Sequence, residues 1–236
     1  MKNYLGITIT QEGFSWHNED FFLASKKLPI FAVADGVTMP AIEEAAEPSA
    51  TKKAAIIFCR EAVKYTEKNF TKLSKKNLKL AYKQANEKVK EINKKRDFKL
   101  TAVAVLAAVK NKKIFTARLT DCGIALIRSG KIIFKTPEFW SELKKKKEIE
   151  YGVIGKDNHL LKHIDFYTLN YEKGDFLVLF SDGFENHFSK NDFISVFKGE
   201  NQKEIEKKIR QEDEKLITID GEKYGHERTI LFSKLN

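Results

Sequence analysis

Long apolar runs are missing from this chain. No stretch of about 18 or more apolar residues occurs, so nothing in it reads as a membrane span. The opening Met1-Lys2-Asn3-Tyr4-Leu5-Gly6 lacks the apolar run of a signal peptide. Cysteine is scarce. Cys59 and Cys122 form no metal-spaced pair, and no nucleophilic cysteine motif surrounds either. That usage fits a reducing cytoplasm. Internal repeats, low-complexity tails and linkers are also absent, which points to one domain over residues 1–236. An acidic excess is missing too, since 43 basic and 33 acidic residues leave a formal charge of +10. Such a balance draws acidic partners. Yet the lysines are spread along helical faces, only Lys144 to Lys147 form a tight run, and no aromatic-basic binding motif accompanies them. The charge therefore reads as a solvated surface rather than a nucleic-acid interface.

What is present is a repeated design. Ile30-Phe31-Ala32-Val33-Ala34-Asp35-Gly36 is a run of β-formers stopped by an acid and a glycine. A short apolar run bounded by a turn signal reads as a buried strand. A carboxylate just past it sits at the rim of the core, and glycine lets the backbone approach a ligand closely. The design recurs in Asp175-Phe176-Leu177-Val178-Leu179-Phe180-Ser181-Asp182-Gly183. Asp-Gly is also a common turn pair, but two copies behind similar strands can deliver two carboxylates to one place. Carboxylates at one place repel unless a cation or a shared proton neutralises them. Hard oxygen ligands favour magnesium, manganese or calcium. Asn18-Glu19-Asp20, pressed between aromatics, makes Asp20 a third candidate. Asp121, at the end of another strand, is a fourth.

In chain order, Leu5, Ile7 and Ile9 alternate with smaller or polar residues as an opening strand. A helix is expected from near Pro48, with Ala54, Ile57, Phe58, Ala62 and Tyr65 on one stripe. A second, over about Ser74 to Lys95, carries Leu78, Ala81, Ala85, Val89 and Ile92 on one face. The two form an antiparallel pair that reads as core. Strands follow at Leu100 to Val109, Ile114 to Leu119, Ile124 to Ile127 and Ile132 to Phe134. Tight turns at Lys110-Asn111-Lys112 and Arg128-Ser129-Gly130-Lys131 make antiparallel neighbours of the strands they join. Pro137 to Asn158 reads as a surface flap, Leu160 to Leu169 as a strand, and Asn191 to Phe197 with Lys203 to Glu214 as a helical pair. Thr229-Ile230-Leu231-Phe232 closes the chain as a strand. Sheets covered by helices, an α+β layered fold, follow from this order.

The ordered set resembles the metal-dependent protein phosphatases, the protein phosphatase 2C family. It rests on Asn18-Glu19-Asp20, the block ending Asp35-Gly36, Leu100-Thr101-Ala102, Thr120-Asp121-Cys122, Ile154-Gly155, Gly174-Asp175 to Ser181-Asp182-Gly183, and Glu227-Arg228-Thr229 before the last strand. No single piece is specific; the order is, and it covers nearly the whole chain. The resemblance implies a four-layer αββα sandwich of two antiparallel sheets flanked by helices. It implies two divalent ions, manganese or magnesium, at one end of the sheets. By that likeness Asp35 bridges both ions, the Gly36 carbonyl binds one, Asp182 holds one, and Asp20 helps through a coordinated water. Asp121 matches an acid that binds a further, weaker ion. The implied reaction is hydrolysis of phosphoserine and phosphothreonine on proteins, by a hydroxide that the two ions share. A soluble, monomeric signalling enzyme acting on phosphoproteins is the corresponding expectation.

Four positions depart from the family pattern. Ser15 stands where an arginine usually grips the substrate phosphate, and a hydroxyl does not replace a bidentate guanidinium. Val37 stands where a histidine or methionine follows Asp-Gly, with Thr38-Met39 beyond it; His17 is a substitute or a structural histidine. His226 falls on the final metal ligand, normally an aspartate, and Glu227 is its neighbour. Imidazole suits manganese or iron better than magnesium, and either residue, or neither, is the ligand. Asn186 replaces a further acid of the weaker site, with Glu185 adjacent. These changes leave Asp20, Asp35 and Asp182 in place. They also open a second reading, a pseudophosphatase that keeps the fold as a binding or regulatory module.

Overall fold

The computed structural model describes residues 4–9, 18–37, 50–97, 99–139, 152–156, 162–199, 201–215 and 227–236. Two five-stranded sheets run through them. One has the order β1-β10-β9-β6-β7, from Tyr4–Ile9 (β1), Arg228–Lys234 (β10), Phe176–Phe180 (β9), Gly123–Arg128 (β6) and Lys131–Lys135 (β7). The other has the order β2-β3-β4-β5-β8, from Phe21–Ala24 (β2), Ile30–Gly36 (β3), Ala102–Lys110 (β4), Lys113–Leu119 (β5) and Ile164–Asn170 (β8). All pairings are antiparallel. Helix α1 spans Ala50–Lys68 and α2 spans Lys75–Asn93. Shorter helices α3 (Asn191–Ser195) and α4 (Gln202–Asp213) follow a 3-10 turn over Asp182–Ser189.

Side-chain alternation explains the layering. Strand residues of one parity face their own helices and those of the other parity face the opposing sheet. In β3, Ile30, Ala32 and Ala34 pack with Ala54, Phe58, Leu78 and Tyr82 of α1 and α2. Phe31 and Val33 point the other way and meet Leu177, Leu179 and Leu231 of the second sheet. That sheet's outer face, through Phe176, Val178, Phe180 and Phe232, packs on Phe193, Ile205 and Ile209 of α3 and α4. The result is the four-layer αββα sandwich that the resemblance implies.

Local chemistry sets the boundaries. The Ser74 hydroxyl caps α2 by accepting from the Asn77 N–H at 3.3 Å. The turn between β4 and β5 places Asn111 and Lys112 at positive φ, as a two-residue hairpin loop requires. Tyr82 of α2 is fully buried, with its hydroxyl 2.9 Å from the Ala104 carbonyl and 2.8 Å from that of Ala117. β4 begins two residues later than the apolar pattern indicates, and β8 starts at Ile164, with Leu160 and Leu161 of the expected strand outside the described residues. Most of the expected flap from Pro137 to Asn158 lies outside the described residues. Among the described residues, no helix is long and apolar enough to cross a membrane.

One connection departs from simple hairpin logic. Thr120-Asp121-Cys122 joins β5 to β6, and these strands belong to different sheets. The link therefore crosses from one sheet to the other and carries Asp121 across the end of the sandwich. Thr120 sits at φ 65°, a left-handed conformation that reverses the chain within so few residues.

Candidate metal centre

Antiparallel register decides which strand ends meet. Asp35 pairs with Val103 within β3 itself, one residue before the strand stops, and is not beyond it. The start of β2 lies opposite the same end, since Phe21 pairs with Ala34. Asp20 immediately precedes it. Leu119 pairs with Ala104, so Asp121 emerges there too. In the second sheet Gly123 and Ile230 both pair with Phe180, which brings Asp182 and Glu227 to that end. Five carboxylates from five separate stretches thus converge on one end of both sheets. Asp35 shares the parity of Phe31 and Val33, which face the opposing sheet.

A polar frame holds these residues. Asp20 is almost wholly buried at 2% exposure, and its Oδ2 accepts from the Ser181 hydroxyl at 2.7 Å. Ser181 Oγ in turn accepts from the Thr229 N–H at 2.8 Å. The Ser181 N–H donates to the Thr229 carbonyl at 3.0 Å. One serine therefore ties Asp20 to the end of β9 and the start of β10. Buried Glu19 accepts from the Thr51 hydroxyl of α1, and its carbonyl accepts from the Gly36 N–H at 3.3 Å. A Cβ on Gly36 would stand 2.7 Å from the Thr51 backbone, so glycine is required for this approach to α1. Arg118 donates to the Thr120 and Pro137 carbonyls, both at 2.6 Å, and fixes the Asp121 link from behind. Lys135 pairs with Glu185.

The electrostatics of the cluster are those of acids without enough counter-charge. Burial raises the Asp20 carboxyl to about 8, helped by Asp182 and Glu227 and opposed by hydrogen bonds from Ser181 and Thr229. Burial, then Asp20, Asp182, Asp121 and Glu227, pushes Asp35 well above the carboxylate range. Asp121 rises to about 7, from burial and Asp182. Glu227 is raised by burial and by Glu19 and Asp182. The buried Cys122 thiol moves up through burial and then the Asp35 charge. Each shift has the cause expected of like charges in a low-dielectric place.

Asp182 is exposed at the mouth of the cluster, and Asp35 is half-buried beside it. Asp20 Oδ1 and Asp121 Oδ1 are buried with no hydrogen-bond partner among the described residues. Among the described residues, no three His, Cys, Asp or Glu side chains are already closed around one point as a metal-holding group. The donors are nonetheless all carboxylate oxygens, two of them orphaned, and they repel one another. Such a set fits hard divalent cations, which take oxygen ligands and offset that repulsion.

The structure thus gathers Asp20, Asp35, Asp121, Asp182 and Glu227. Gly36 lies in the same place. Ser15, His17 and His226 fall outside the described residues, as does the side chain of Asn186. The sequence reading passed over Ser181 and Glu19 as separate contributors, although each stands beside a candidate aspartate. The usable signal was a small hydroxyl directly before Asp182 and an acid in an apolar setting before Asp20. It also missed the pairing behind the site: His187 Nε2 lies 2.9 Å from Asp213 Oδ1, and Asp213 pairs with Arg228. All three are buried, at 1%, 4% and 0% exposure.

A family model described as protein phosphatase 2C matches residues 15–213. Among solved structures, the PPM Ser-Thr phosphatase MsPP from Mycobacterium smegmatis, in complex with cacodylate, is 18% identical with a TM-score of 0.69, covering 100% of this chain and 99% of that one. The S. agalactiae serine/threonine phosphatase is 19% identical with a TM-score of 0.69, covering 99% of each chain. The catalytic domain of the serine threonine protein phosphatase PstP, in complex with 2 manganese ions, is 14% identical with a TM-score of 0.67, covering 99% of this chain and 98% of that one. At such identities the likeness shows a shared fold. No curated protein matches the sequence.

Proposed function

Because the chain belongs to the protein phosphatase 2C family, we propose that it is a metal-dependent phosphatase acting on phosphoserine and phosphothreonine of proteins. The observation that carries this reading is the convergence of Asp20, Asp35, Asp121, Asp182 and Glu227 at one end of the sandwich, with raised carboxyls and two orphaned buried oxygens. Asp35, Asp182 and the Gly36 carbonyl would hold two divalent cations, manganese or magnesium, with Asp20 beside them. Asp121 would serve a weaker third position with Glu185 near it, and Glu227 or His226 would complete the set. Bound there, the cations supply positive charge against the phosphoryl oxygens and activate water as the nucleophile.

The chain's own residues do the positioning. Ser181 fixes the orientation of the Asp20 carboxylate, leaving Oδ1 for another partner. The Thr51 hydroxyl fixes the Glu19 carboxylate against α1. Asp121 is kept in place by the Thr120 turn, whose hydroxyl donates to the Gly152 carbonyl at 2.6 Å. The exposed Asp182 marks the side from which a phosphorylated segment approaches. The buried free cysteines, Cys59 and Cys122, fit a reducing compartment such as the cytoplasm. A second reading, a module that binds phosphoproteins without turnover, rests on Ser15, which offers no guanidinium to the phosphate.

One experiment tests both readings. Hydrolysis of p-nitrophenyl phosphate and of a phosphothreonine peptide is measured with manganese, magnesium or chelator, beside Asp35→Asn. Turnover that needs metal and disappears in the folded variant supports the phosphatase. A folded protein with no turnover under any metal supports the binding module. Full activity of Asp35→Asn sinks the metal assignment.

A further inference from the structure

Behind the carboxylate cluster, three polar side chains meet in an aromatic core. Asp213 is the last residue of α4 and is buried on the same helix face as Ile205 and Ile209. It accepts from Arg228 Nε and Nη2, and from His187 Nε2 at 2.9 Å. A carboxylate only accepts, so the imidazole donates through Nε2. His187 Nδ1 has no hydrogen-bond partner among the described residues. The ring lies against Phe184 and Phe193, with centroids 4.7 and 4.9 Å away. Asp213 is thus the polar anchor of this histidine in apolar surroundings.

Stability alone does not account for the arrangement. Buried ionic groups carry a desolvation cost, and well-packed apolar residues of similar volume commonly serve as well or better. Phe184, Phe188, Phe193, Ile205 and Ile209 already form such a core here. What hydrogen bonds add is direction, because each donor must meet its acceptor at a set distance and angle.

The groups that Asp213 holds belong to two segments that carry acids of the cluster. His187 lies in the 3-10 turn over Asp182–Ser189, which begins at Asp182. Arg228 opens β10 and directly follows Glu227. The two segments lie side by side: a Cβ on Gly183 would stand 2.6 Å from that of Arg228. Strand alternation turns Arg228 toward the helical layer, on the side of Ile230 and Phe232, so its guanidinium meets Asp213 behind the carboxylates. We propose that Asp213 is a positioning residue for the candidate metal centre. Through His187 and Arg228 it fixes the turn that presents Asp182 and the strand start that presents Glu227. The proposal rests on the metal-dependent reading of that site.

The test uses the full chain. His187→Leu cuts one tie, keeps the Asp213–Arg228 pair and suits the apolar surroundings. His187→Gln restores a donor, since its amide nitrogen reaches about where Nε2 stands. In chelator, amide hydrogen exchange in the Asp182–Ser189 turn should quicken about ten-fold in His187→Leu, stay unchanged in β4, and return to its original rate in His187→Gln. Manganese, followed by calorimetry, should bind about ten-fold weaker to His187→Leu and within about two-fold of the unsubstituted chain to His187→Gln. A role in packing alone predicts the reverse order, because leucine fits an aromatic core better than an amide does. Asp213→Glu keeps the charge and the acceptors but displaces them by one methylene. It should also weaken manganese about ten-fold. Manganese affinity unchanged in His187→Leu, or in Asp213→Glu where the former does not fold, overturns the proposal. So does a His187→Gln variant that binds no better than His187→Leu. If the unsubstituted chain itself shows no saturable manganese binding, the metal reading fails and the proposal falls with it.

Discussion

At the scale of single residues, Ser181 shows how little chemistry separates a strand end from a site. Its hydroxyl donates to Asp20 and accepts from the Thr229 N–H, in a fully buried place. Ser181→Ala would leave the Thr229 N–H unsatisfied and take from Asp20 one of its donors, at a cost of about 1–3 kcal/mol in unfolding free energy. Manganese affinity should fall in the same variant, because Asp20 loses its orientation. Urea unfolding and a metal titration check the two effects separately. The raised carboxyls make a second prediction. Asp20 titrates at about 8 and Asp121 at about 7 in the folded chain, against an ordinary value of 3.8. Between those values the folded state holds protons that the unfolded state has released. Their contribution to stability is complete below the ordinary value and drains away as pH rises through about 7 and then about 8. The chelated protein should therefore melt lower at about pH 8.5 than at about pH 5, and manganese should reverse most of that loss. A chelated protein that is more stable at the higher pH would contradict the clustering of charge.

At the scale of elements, the site depends on close contact between β3 and the first turn of α1. Gly36 lies against Thr51, whose hydroxyl also holds Glu19. Gly36→Ala places a methyl group 2.7 Å from the Thr51 backbone carbon. Backbone yields poorly to such overpacking, so the variant should lose about 1–3 kcal/mol of stability, and its metal binding should weaken as β3 and α1 separate. Thermal melts with and without manganese would show both. Helix α2 performs a similar service for the segment around Gly155. Asn86 accepts from the Gly155 N–H at 2.7 Å, and Asn93 donates to the carbonyls of Leu100, at 2.9 Å, and Gly155, at 3.0 Å. Two asparagines on the buried face of an amphipathic helix read in isolation as flaws in the apolar stripe. Here they satisfy backbone that belongs to no strand.

At the scale of the molecule, buried charge is distributed so that different parts respond to pH in opposite senses. Burial acts to raise Asp213, but hydrogen bonds from His187 and Arg228 outweigh it and hold the carboxyl below its ordinary value. Asp175 likewise resists its burial through Arg128, whose guanidinium donates to both carboxylate oxygens at 2.8 and 2.9 Å. Stability from these two pairs is present above the ordinary carboxylate value and is lost as pH falls through the depressed folded values. Acid unfolding should thus set in below about pH 4, while the carboxylate cluster weakens the chelated protein at alkaline pH. Asp213→Ala should cost about 3–5 kcal/mol, because it takes from the fully buried Arg228 the carboxylate that accepts from two of its guanidinium nitrogens. Chemical denaturation measures this directly, and a cost near zero would show that Arg228 does not depend on this carboxylate. The effect should extend to the candidate metal centre. Arg228 follows Glu227, and a Cβ on Gly183 would lie 2.4 Å from the Glu227 carbonyl, so the start of β10 is packed onto the Asp182 turn.

By itself the sequence determined the elements and most of the acids. Continuous apolar runs closed by Asp-Gly marked β3 and β9, stripes at spacings of three and four marked α1 and α2, and both tight hairpins were legible from their turn residues. Such signals are local, set by backbone sterics and by which face is buried. Asp35, Asp121 and Asp182 were visible because an acid at the end of an apolar strand is conspicuous, and Asp20 because polar residues between aromatics are costly to bury. Only the tertiary structure decided what lies far apart in the chain. Asp121 crosses from one sheet to the other because Thr120 turns left-handed. Ser181 meets Asp20 across 161 positions. Asp213 finds Arg228 and His187 only after α4 packs on the second sheet. The physical reason is common to all of these. Coulomb energy and desolvation depend on distance and on exclusion of water, and neither exists until the two sheets close on each other.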